Sequence, residues 1–270
     1  MSKKNPDIVK RNAAGVSDSA VKEVIIEDEA PQTEVFTENI DELDWGDLSE
    51  FGPVLPLGTD MLRNKPVYRV LKRFFDIVLS VFALVVLSPL LLLVALAIFI
   101  DDPHGSPIFI QEREGINRKK FRLFKFRSMV VNAEELLDKV KKNGATVKDR
   151  NDPTFKDKYD SRITRIGYII RKTSIDELPQ LINIILGDMS IVGPRPPLPN
   201  EVRKYNDFAM QRLLVKPGLT CIWQSTRNRD DISFPDWMKM DVKYIHECGF
   251  LLDCKLILKT FSIVLTANGN

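Results

Sequence analysis

IVLSVFALVVLSPLLLLVALAIFI, residues 77–100, runs for 24 residues without a charged side chain. As a straight helix this stretch would extend about 36 Å, which is enough to cross a hydrocarbon core about 30 Å thick. Soluble proteins rarely bury a helix of this length that is apolar on all sides. The stretch therefore predicts insertion into a membrane.

Ser88-Pro89 stands in the middle of the apolar stretch. A proline inside a helix removes one backbone donor and clashes with the preceding turn, so it bends or breaks the helix. Each half would then be about 18 Å long, too short to span a bilayer but long enough to enter and return. The freed backbone groups need polar partners at membrane depth, and the Ser88 hydroxyl is one candidate.

Basic residues flank the apolar stretch on both sides, and basic flanks favour the cytoplasmic face of a membrane. A re-entrant helix-break-helix with both ends on that face satisfies both flanks, and a single span kinked at the proline is the alternative. The residues concerned are Arg63, Lys65, Arg69, Lys72 and Arg73 before the stretch, and Arg113, Arg118, Lys119, Lys120 and Arg122 after it.

The formal net charge of +2 conceals an asymmetry along the chain. Residues 1–60 contain five basic and fourteen acidic side chains, a net charge of −9, so residues 61–270 carry +11. A basic body favours an anionic partner such as a phosphorylated ligand or a membrane surface. We interpret residues 1–60 as a disordered acidic tail. The patch Ile40–Phe51 within it could be a docking segment, although we prefer to interpret it as solvated.

The three cysteines and two histidines lack the regular spacing of a disulfide framework or a zinc site. We therefore interpret the thiols as small, partly buried side chains in a reducing compartment. These residues are Cys221, Cys248, Cys254, His104 and His246.

The fold class predicted is α+β, helix-rich and membrane-associated. Residues 61–104 form the inserted segment with its basic approach, and residues 105–270 form a small catalytic domain. In that domain we predict two strands, at 107–113 and 121–129, joined by a turn at Gly115–Asn117. A capping box at Asn132 and Glu135 opens a helix.

Two further helices are predicted near 163–172 and 174–187, and the second has an apolar face made of Leu178, Leu181, Ile182 and Ile185. We predict a type II turn at Pro217-Gly218, and we expect Trp223 and Trp237 to lie in the core. Residues 251–265 are predicted to form an amphipathic helix that lies on the membrane or packs against the inserted hairpin.

Asp176 and Glu177 are the candidate catalytic residues. The local alternative is a capping box between Ser174 and Glu177, because acidic residues are favoured in the first turn of a helix. The surroundings favour chemistry: Arg171 precedes the pair, and Arg195 follows in a proline-rich loop suited to forked recognition of phosphate. One carboxylate can hold Mg²⁺ while the other attacks phosphorus, and Mg²⁺ needs only one or two carboxylates plus substrate phosphates.

The segment RKKFRLFKFR, residues 118–127, alternates cations and aromatic side chains. Such a segment is compatible with a nucleic-acid strip, or with an edge strand that contacts anionic lipid. Because a membrane insertion precedes it closely, we expect an interfacial or phosphate-binding function and no nucleic-acid partner. Lys125 and Arg127 share one side of the strand and are the candidates for reaching a diphosphate.

From about Arg73 to Lys259 the chain resembles the bacterial sugar transferase family, the monotopic polyprenyl-phosphate phosphoglycosyl transferases, in their short form. The matching segments are KRFFDIVLS, SPLLLLVALAI, FKFRSM, RITRIGYIIRKTSIDELPQLINIILGDMSIVGPRP, VKPGLT and LDCKLILKT. The resemblance implies a helix-break-helix at Ser88-Pro89 in the bacterial inner membrane, with the catalytic domain on the cytoplasmic face.

The resemblance also implies a reaction and roles for individual residues. Asp176 would be the nucleophile, attacking a UDP-sugar to release UMP and leave a phosphosugar on the carboxylate. Undecaprenyl phosphate would then accept the phosphosugar, which initiates synthesis of an exopolysaccharide or glycoconjugate by ping-pong kinetics. Glu177 would be associated with Mg²⁺, and Arg171 and Arg195 would lie near the phosphates.

The sequence departs from the family pattern after VKPGLT. Many members carry a glycine before the arginine of a VNGRN or VSGRN run, whereas this chain has Gln224-Ser225-Thr226-Arg227. A catalytically silent membrane adaptor on the same scaffold is therefore the alternative function. The sugar donor and the oligomeric state are left open at this point.

Overall fold

The computed structural model describes residues 40, 43–133, 136, 162–226 and 232–265. They form a mixed fold in which helices predominate, as the sequence predicts. The helices are α1 (Pro66–Asp101), α2 (Arg165–Lys172), α3 (Gln180–Leu186), α4 (Pro199–Val202), α5 (Asp207–Met210), α6 (Phe234–Glu247) and α7 (Phe250–Leu265). The strands are β1 (Ile108–Glu114), β2 (Lys120–Phe126), β3 (Ser190–Val192) and β4 (Gly218–Thr220). Asn132 of the predicted capping box lies in a turn, whereas Glu135 and most of the predicted helix lie outside the described residues.

Helix α1 contains the whole apolar stretch. It begins with a proline at its first turn, where a missing backbone donor costs nothing. An 18-residue window within it has a mean hydropathy of 3.0, and only 11% of that window is buried. The helix is long and apolar enough to cross a membrane, which is compatible with the predicted membrane association.

The helix continues through Pro89 without an interruption, so the predicted break does not divide it into two helices. Proline cannot donate to the carbonyl four residues earlier, which here belongs to Val85. The Ser88 hydroxyl donates a hydrogen bond to that carbonyl at 2.8 Å. Ser88 therefore satisfies a group that the proline leaves free, as predicted, whereas the re-entrant path of the chain stays a prediction.

Strands β1 and β2 form an antiparallel hairpin in which Ile108 pairs with Phe126 and Glu114 with Lys120. The connection is a short 3₁₀ turn, and its Asn117 adopts a left-handed φ of 53°, which asparagine tolerates better than most residues. The predicted hairpin is confirmed. Side chains alternate along a strand, so Lys125 points to the same face as the buried Phe121 and Leu123.

The predicted helix at 174–187 is in fact a 3₁₀ turn, Ile175–Glu177, followed by α3. Ser174 has a left-handed φ of 56° and its side chain makes no capping hydrogen bond, so the capping-box interpretation is wrong. The predicted apolar face is also partly wrong: Ile182 is 43% exposed, whereas Ile184 is fully buried. The interruption after Glu177 shifts the helical face relative to an uninterrupted helix.

Strands β3 and β4 form a parallel pair in which Ser190 lies opposite Gly218. The predicted type II turn at Pro217-Gly218 is wrong, because such a turn requires a positive φ that Gly218 does not have. Glycine is required there for another reason. A Cβ atom at Gly218 would overlap the backbone nitrogen of Gly193, so the two strands meet at glycines on both sides.

The segment around Trp45 packs on the domain, and our preferred interpretation of it as solvated is wrong. Ile40 is 2% exposed, and the Trp45 ring lies edge-on to Phe208 and Phe234 with centroids 5.6 and 6.2 Å apart. The Trp45 indole donates to the carbonyl of Ile40 at 3.0 Å. This patch is therefore a docked segment of the core. Most of the rest of the predicted tail, residues 1–39, lies outside the described residues.

The same core contains Trp223 and Trp237, which stack with centroids 4.7 Å apart. Both are buried, as predicted. The cysteines agree with the prediction of small, partly buried thiols. Cys221 and Cys248 are buried and Cys254 is half-buried.

Helix α7 packs against α1 and α6 through its buried Asp253. The Asp253 carboxylate accepts hydrogen bonds from Tyr68, Lys72 and Tyr244 at 2.7 to 2.9 Å. The opposite side of α7 leaves Leu251, Leu258 and Phe261 exposed. The predicted contact of this helix with the membrane surface stays a prediction.

Candidate active site

Asp176 and Glu177 lie in the 3₁₀ turn between α2 and α3. The left-handed Ser174 ends the run from α2 and redirects the chain. The carboxylate of Glu177 reaches across to other elements. Both acidic side chains are half-buried.

Glu177 is held by side chains from three separate segments. Its Oε1 lies 3.1 Å from the Lys125 Nζ and 3.7 Å from the Arg195 Nη1. Its Oε2 accepts a hydrogen bond from the Gln224 amide at 3.4 Å. The fold therefore gathers β2, the loop after β3 and the segment after β4 around one carboxylate.

Asp176 lies in a strongly perturbed electrostatic environment. Burial, reinforced by the neighbouring charge of Glu177, raises the pKa of Asp176 to about 6. The positive charges of Lys125, Arg171 and Arg195 act in the opposite direction. A carboxylate in this situation is ionised near neutral pH but poorly stabilised by solvent, as is common for catalytic groups.

Lys125 is one of the cations that balance the two carboxylates. Its side chain is 16% exposed, and burial lowers the pKa of Lys125 while Glu177 opposes that change. Arg171 is half-buried in the last turn of α2. Four cations (Lys125, Arg113, Arg171 and Arg195) therefore surround two carboxylates, and this excess suits a site for phosphates.

The predicted site residue Arg127 is not part of this cluster. Strand β2 ends at Phe126, so the alternation that would place Arg127 beside Lys125 does not continue. The Arg127 guanidinium is buried against the end of α1, where it donates to the carbonyl of Asp102 and lies 3.8 Å from the Asp102 carboxylate. Its role in the structure is to anchor the C-terminal end of the apolar helix.

The loop that presents Arg195 is held by its backbone. The buried Arg113 donates to the carbonyl of Pro196 at 3.0 Å, and the backbone nitrogen of Glu114 donates to that of Pro197 at 3.1 Å. Burial lowers the pKa of Arg113 to about 10. These contacts fix the loop on the edge of β1.

Two residues of this site were not predicted as site residues. Arg113 appears in the sequence only as one member of a basic flank, and Gln224 only as part of the segment that departs from the family pattern. Both line a narrow pocket together with Lys125, Glu177, Arg195 and Gly218. The sequence carried one usable signal, since Gln224, the first residue of the departure from the family pattern, lies at the site. Arg227 is outside the described residues.

The donor groups of the site limit how a metal ion could bind. Within the described ranges, no group of three or more His, Cys, Asp or Glu side chains could hold a metal ion. The adjacent carboxylates of Asp176 and Glu177 nevertheless suit Mg²⁺, because this ion binds through one or two carboxylates and takes its other ligands from substrate phosphates and water.

Comparisons with known proteins agree with the resemblance. A family model described as bacterial sugar transferase matches residues 67–267. The chain is 40% identical over 201 residues to the UDP-galactose-lipid carrier transferase of Erwinia amylovora, covering 74% of this chain and 42% of that protein. It is 37% identical over 218 residues to the undecaprenyl-phosphate glucose phosphotransferase of Komagataeibacter xylinus, covering 76% and 38%.

A shorter relative matches along most of its length. The exopolysaccharide production protein ExoY of Sinorhizobium fredii is 37% identical over 216 residues, which cover 80% of this chain and 94% of that protein. The chain thus spans less than half of the two longer relatives and nearly the whole of the shorter one. On the extent of the family match and these identities, the chain belongs to the bacterial sugar transferase family.

Proposed function

We propose that this protein is a phosphoglycosyl transferase that moves a sugar 1-phosphate from a UDP-sugar to undecaprenyl phosphate at the cytoplasmic face of the bacterial inner membrane. The observation that carries the proposal is the Asp176 carboxylate, whose pKa is raised to about 6, lying among Lys125, Arg171 and Arg195. The names of the relatives, which refer to lipid carriers and to undecaprenyl phosphate, support the same reaction class.

The first half of the proposed reaction uses Asp176 as a nucleophile. A carboxylate oxygen attacks the phosphorus that bears the sugar, and the bond from that phosphorus to the oxygen of the uridine phosphate breaks. UMP leaves with the electron pair of that bond, and the phosphosugar remains on Asp176 as an acyl phosphate. The half-burial of Asp176 favours attack, because a poorly solvated carboxylate loses little hydration in the transition state.

The second half regenerates the carboxylate. A phosphate oxygen of undecaprenyl phosphate attacks the same phosphorus, and the bond between phosphorus and the Asp176 oxygen breaks. The product is undecaprenyl diphosphate sugar, and Asp176 is again ionised. Because the two substrates use the site in turn, the kinetics are ping-pong.

The surrounding cations stabilise charge on the transferring group. Lys125 and Arg195 both contact Glu177, so a phosphate placed against Glu177 and Asp176 lies within their reach. Glu177 would hold Mg²⁺, which when bound neutralises charge on the diphosphate. Arg171 supplies a further positive charge on the side of Asp176.

The re-entrant path of α1 belongs to the same proposal. Near one end of the helix, Asp76 accepts a hydrogen bond from the backbone nitrogen of Ile191 at 2.9 Å. Near the other end, Val94 and Ile98 pack with Phe126 of the catalytic domain. A straight span across a bilayer separates its two ends, whereas contacts on both sides of Pro89 with one domain favour a return to the same face.

The proposal is tested by UMP release from a panel of UDP-sugars, with undecaprenyl phosphate and Mg²⁺, by protein in lipid discs. We expect release with one donor or a few, and loss in Asp176→Asn. The control Asp207→Asn changes an exposed carboxylate outside the site, and its turnover should equal that of the unaltered protein. Without the lipid acceptor, labelled UMP should exchange into the UDP-sugar.

Two outcomes would count against the proposal. Retained turnover in Asp176→Asn would show that Asp176 is not the nucleophile. If the folded protein released no UMP with any donor of a broad panel, the alternative of a catalytically silent membrane adaptor would be favoured. The segment beginning at Gln224 would then be the first region to examine for the cause of the lost activity.

A further inference from the structure

Arg212 is the bulkiest of the fully buried side chains in the described part of the chain. It lies in the 3₁₀ turn Gln211–Leu214. Its Nη1 donates to the Tyr205 hydroxyl at 2.7 Å, and its Nη2 lies 2.8 Å from the Asp241 carboxylate. The guanidinium carbon is 4.9 Å from the centroid of the Trp237 ring. Arg212 is therefore enclosed by partners and cannot touch a substrate.

One contact of Arg212 leads directly to the active site. Its Nη2 also donates to the backbone carbonyl of Arg195 at 2.8 Å, while the side chain of Arg195 extends to within 3.7 Å of Glu177. Together with the contacts of Arg113 and Glu114, this hydrogen bond means that three successive carbonyls, at residues 195 to 197, are each held by a donor. The backbone of Arg195, whose side chain we propose binds the phosphates, is thus held on the side away from Glu177.

Stability alone is a weak explanation for the Arg212–Asp241 pair. Both side chains are 1% exposed, and removing two charges from water is costly even when they pair. Burial raises the pKa of Asp241 to about 6 despite the neighbouring guanidinium. A pair of apolar side chains of similar volume commonly stabilises a core as well or better.

We infer that Arg212, with Asp241 as its counter-ion, is a positioning residue that holds Arg195 in place for the diphosphate of the donor. The inference rests on the proposed function. A guanidinium held in advance recognises a phosphate without first losing conformational freedom. Releasing the Arg195 carbonyl should therefore weaken donor binding while leaving the reacting carboxylate in place.

The decisive variant replaces both charges at once, Arg212→Met with Asp241→Leu. Because no charge is left without a partner, we expect this protein to fold with a melting temperature close to that of the unaltered protein. We expect its KM for the UDP-sugar to rise about tenfold, the equivalent of one hydrogen bond to a charged group. An unchanged KM in the folded double variant would overturn the inference. If the double variant does not fold, the KM of Arg212→Lys is measured instead, because lysine keeps the positive charge but lacks the two terminal nitrogens of the guanidinium. A raised KM would support the inference, and an unchanged KM would overturn it.

Two controls separate positioning from general loosening of the core. Tyr205→Phe removes the other hydrogen bond of Arg212 and leaves its contact with Arg195, so stability should fall while the KM stays unchanged. In an Arg195→Ala background, the double replacement should have no further effect on KM, because Arg212 acts through Arg195. A further tenfold increase in that background would contradict the inference.

A structural measurement distinguishes failure of this inference from failure of the proposed function. If the unaltered protein releases no UMP with any donor, the proposed function fails. Hydrogen exchange at the amides of Gly218 and Glu114 still tests positioning. These amides donate to the carbonyls of Pro194 and Pro197, on either side of Arg195, and a loosened loop should speed their exchange in the double variant and not in Tyr205→Phe. Equal exchange in all three proteins would overturn the inference by itself.

Discussion

The Nζ of Lys125 lies 3.1 Å from Oε1 of Glu177, and this ion pair joins the last part of strand β2 to the turn that carries both carboxylates. The two side chains are only 16% and 19% exposed. An ion pair shielded from water in this way is screened little by salt. It orients Glu177 in the absence of any capping bond from Ser174, and so helps to define the site before a substrate arrives.

Replacing Lys125 should impair catalysis far more than stability. In Lys125→Met we expect kcat/KM for UMP release to fall about 100-fold, because in the proposed reaction Lys125 stabilises the charge that develops on the transferring phosphate. Lys125→Arg keeps the charge and should recover part of that loss. The matched control is Lys120→Met on the same strand, whose ion pair with Glu112 is exposed; it should change kcat/KM by less than about twofold. Equal losses in the two methionine variants would contradict the assignment.

The pH dependence of the first half-reaction should follow the ionisation of Asp176. In the proposed mechanism only the ionised carboxylate attacks phosphorus, and burial raises the pKa of Asp176 to about 6. We therefore expect kcat/KM for the UDP-sugar to rise about tenfold per pH unit up to pH 6 and then to level off. The measurement is UMP release between pH 4.5 and pH 8 at fixed Mg²⁺. A rate independent of pH across this range would be inconsistent with Asp176 as the nucleophile.

The Asp176→Asn variant should be more stable than the unaltered protein at neutral pH. A carboxyl whose folded pKa lies above its unfolded value of 3.8 contributes stability below that value, and loses it as the pH rises through about 6. Asparagine stays neutral at every pH, so the variant keeps this stability at neutral pH. We expect a gain of about 1–3 kcal/mol at pH 7.5 that shrinks towards pH 4. Thermal unfolding at both pH values checks this, and a smaller gain at pH 7.5 than at pH 4 would contradict it.

The topology of α1 can be tested by thiol labelling. Arg63 before the helix and His104 after it are both exposed, and each can be replaced by cysteine in a chain whose native cysteines are changed to serine. For a re-entrant helix, an impermeant reagent should label both positions in inside-out vesicles and neither in right-side-out vesicles. Labelling of the two positions from opposite sides would establish a single span. Detergent-opened vesicles control for access at each position.

The docked segment around Trp45 should contribute to the stability of the domain. Trp45→Ala removes ring contacts with Phe208 and Phe234, and we expect a loss of about 3 kcal/mol in the free energy of unfolding. The control is Leu57→Ala, just after this segment, because Leu57 is 41% exposed and its replacement should cost less than about 1 kcal/mol. Similar losses in the two variants would show that the segment does not pack as described.

The features predicted correctly from the sequence are those that depend on local pattern. Alternation predicts the hairpin of β1 and β2, and a continuous apolar run predicts α1. The Ser88 hydroxyl could be assigned in advance because the Val85 carbonyl that needs a donor is four residues before a proline. The candidate site was predicted in the same way, because the adjacent carboxylates of Asp176 and Glu177 lie close in sequence to Arg171 and Arg195.

The features predicted wrongly depend on contacts between distant parts of the chain. Trp45 lies in an acidic segment whose apolar partners, Phe208 and Phe234, are more than 160 positions away. The glycine at 218 is required by the backbone of Gly193, the residue that follows strand β3, and no local turn pattern reveals this contact. Arg127 follows the correct alternation, but its strand ends one residue earlier, and an aspartate at the end of α1 binds it.

The packing of α1 against the domain has a consequence for how the protein is made. Ala83 and Leu84 pack into the same cluster as Phe121 and Ile184, and Arg73 donates to the last carbonyls of α3 at 2.6 and 2.8 Å. A fragment without residues 66–101 would expose these apolar surfaces to water and leave those carbonyls bare. If α1 inserts as we propose, the catalytic domain completes its core only once that helix is in place. A water-soluble version would have to keep the helix and replace only its outward side chains, such as Phe82 and Leu92.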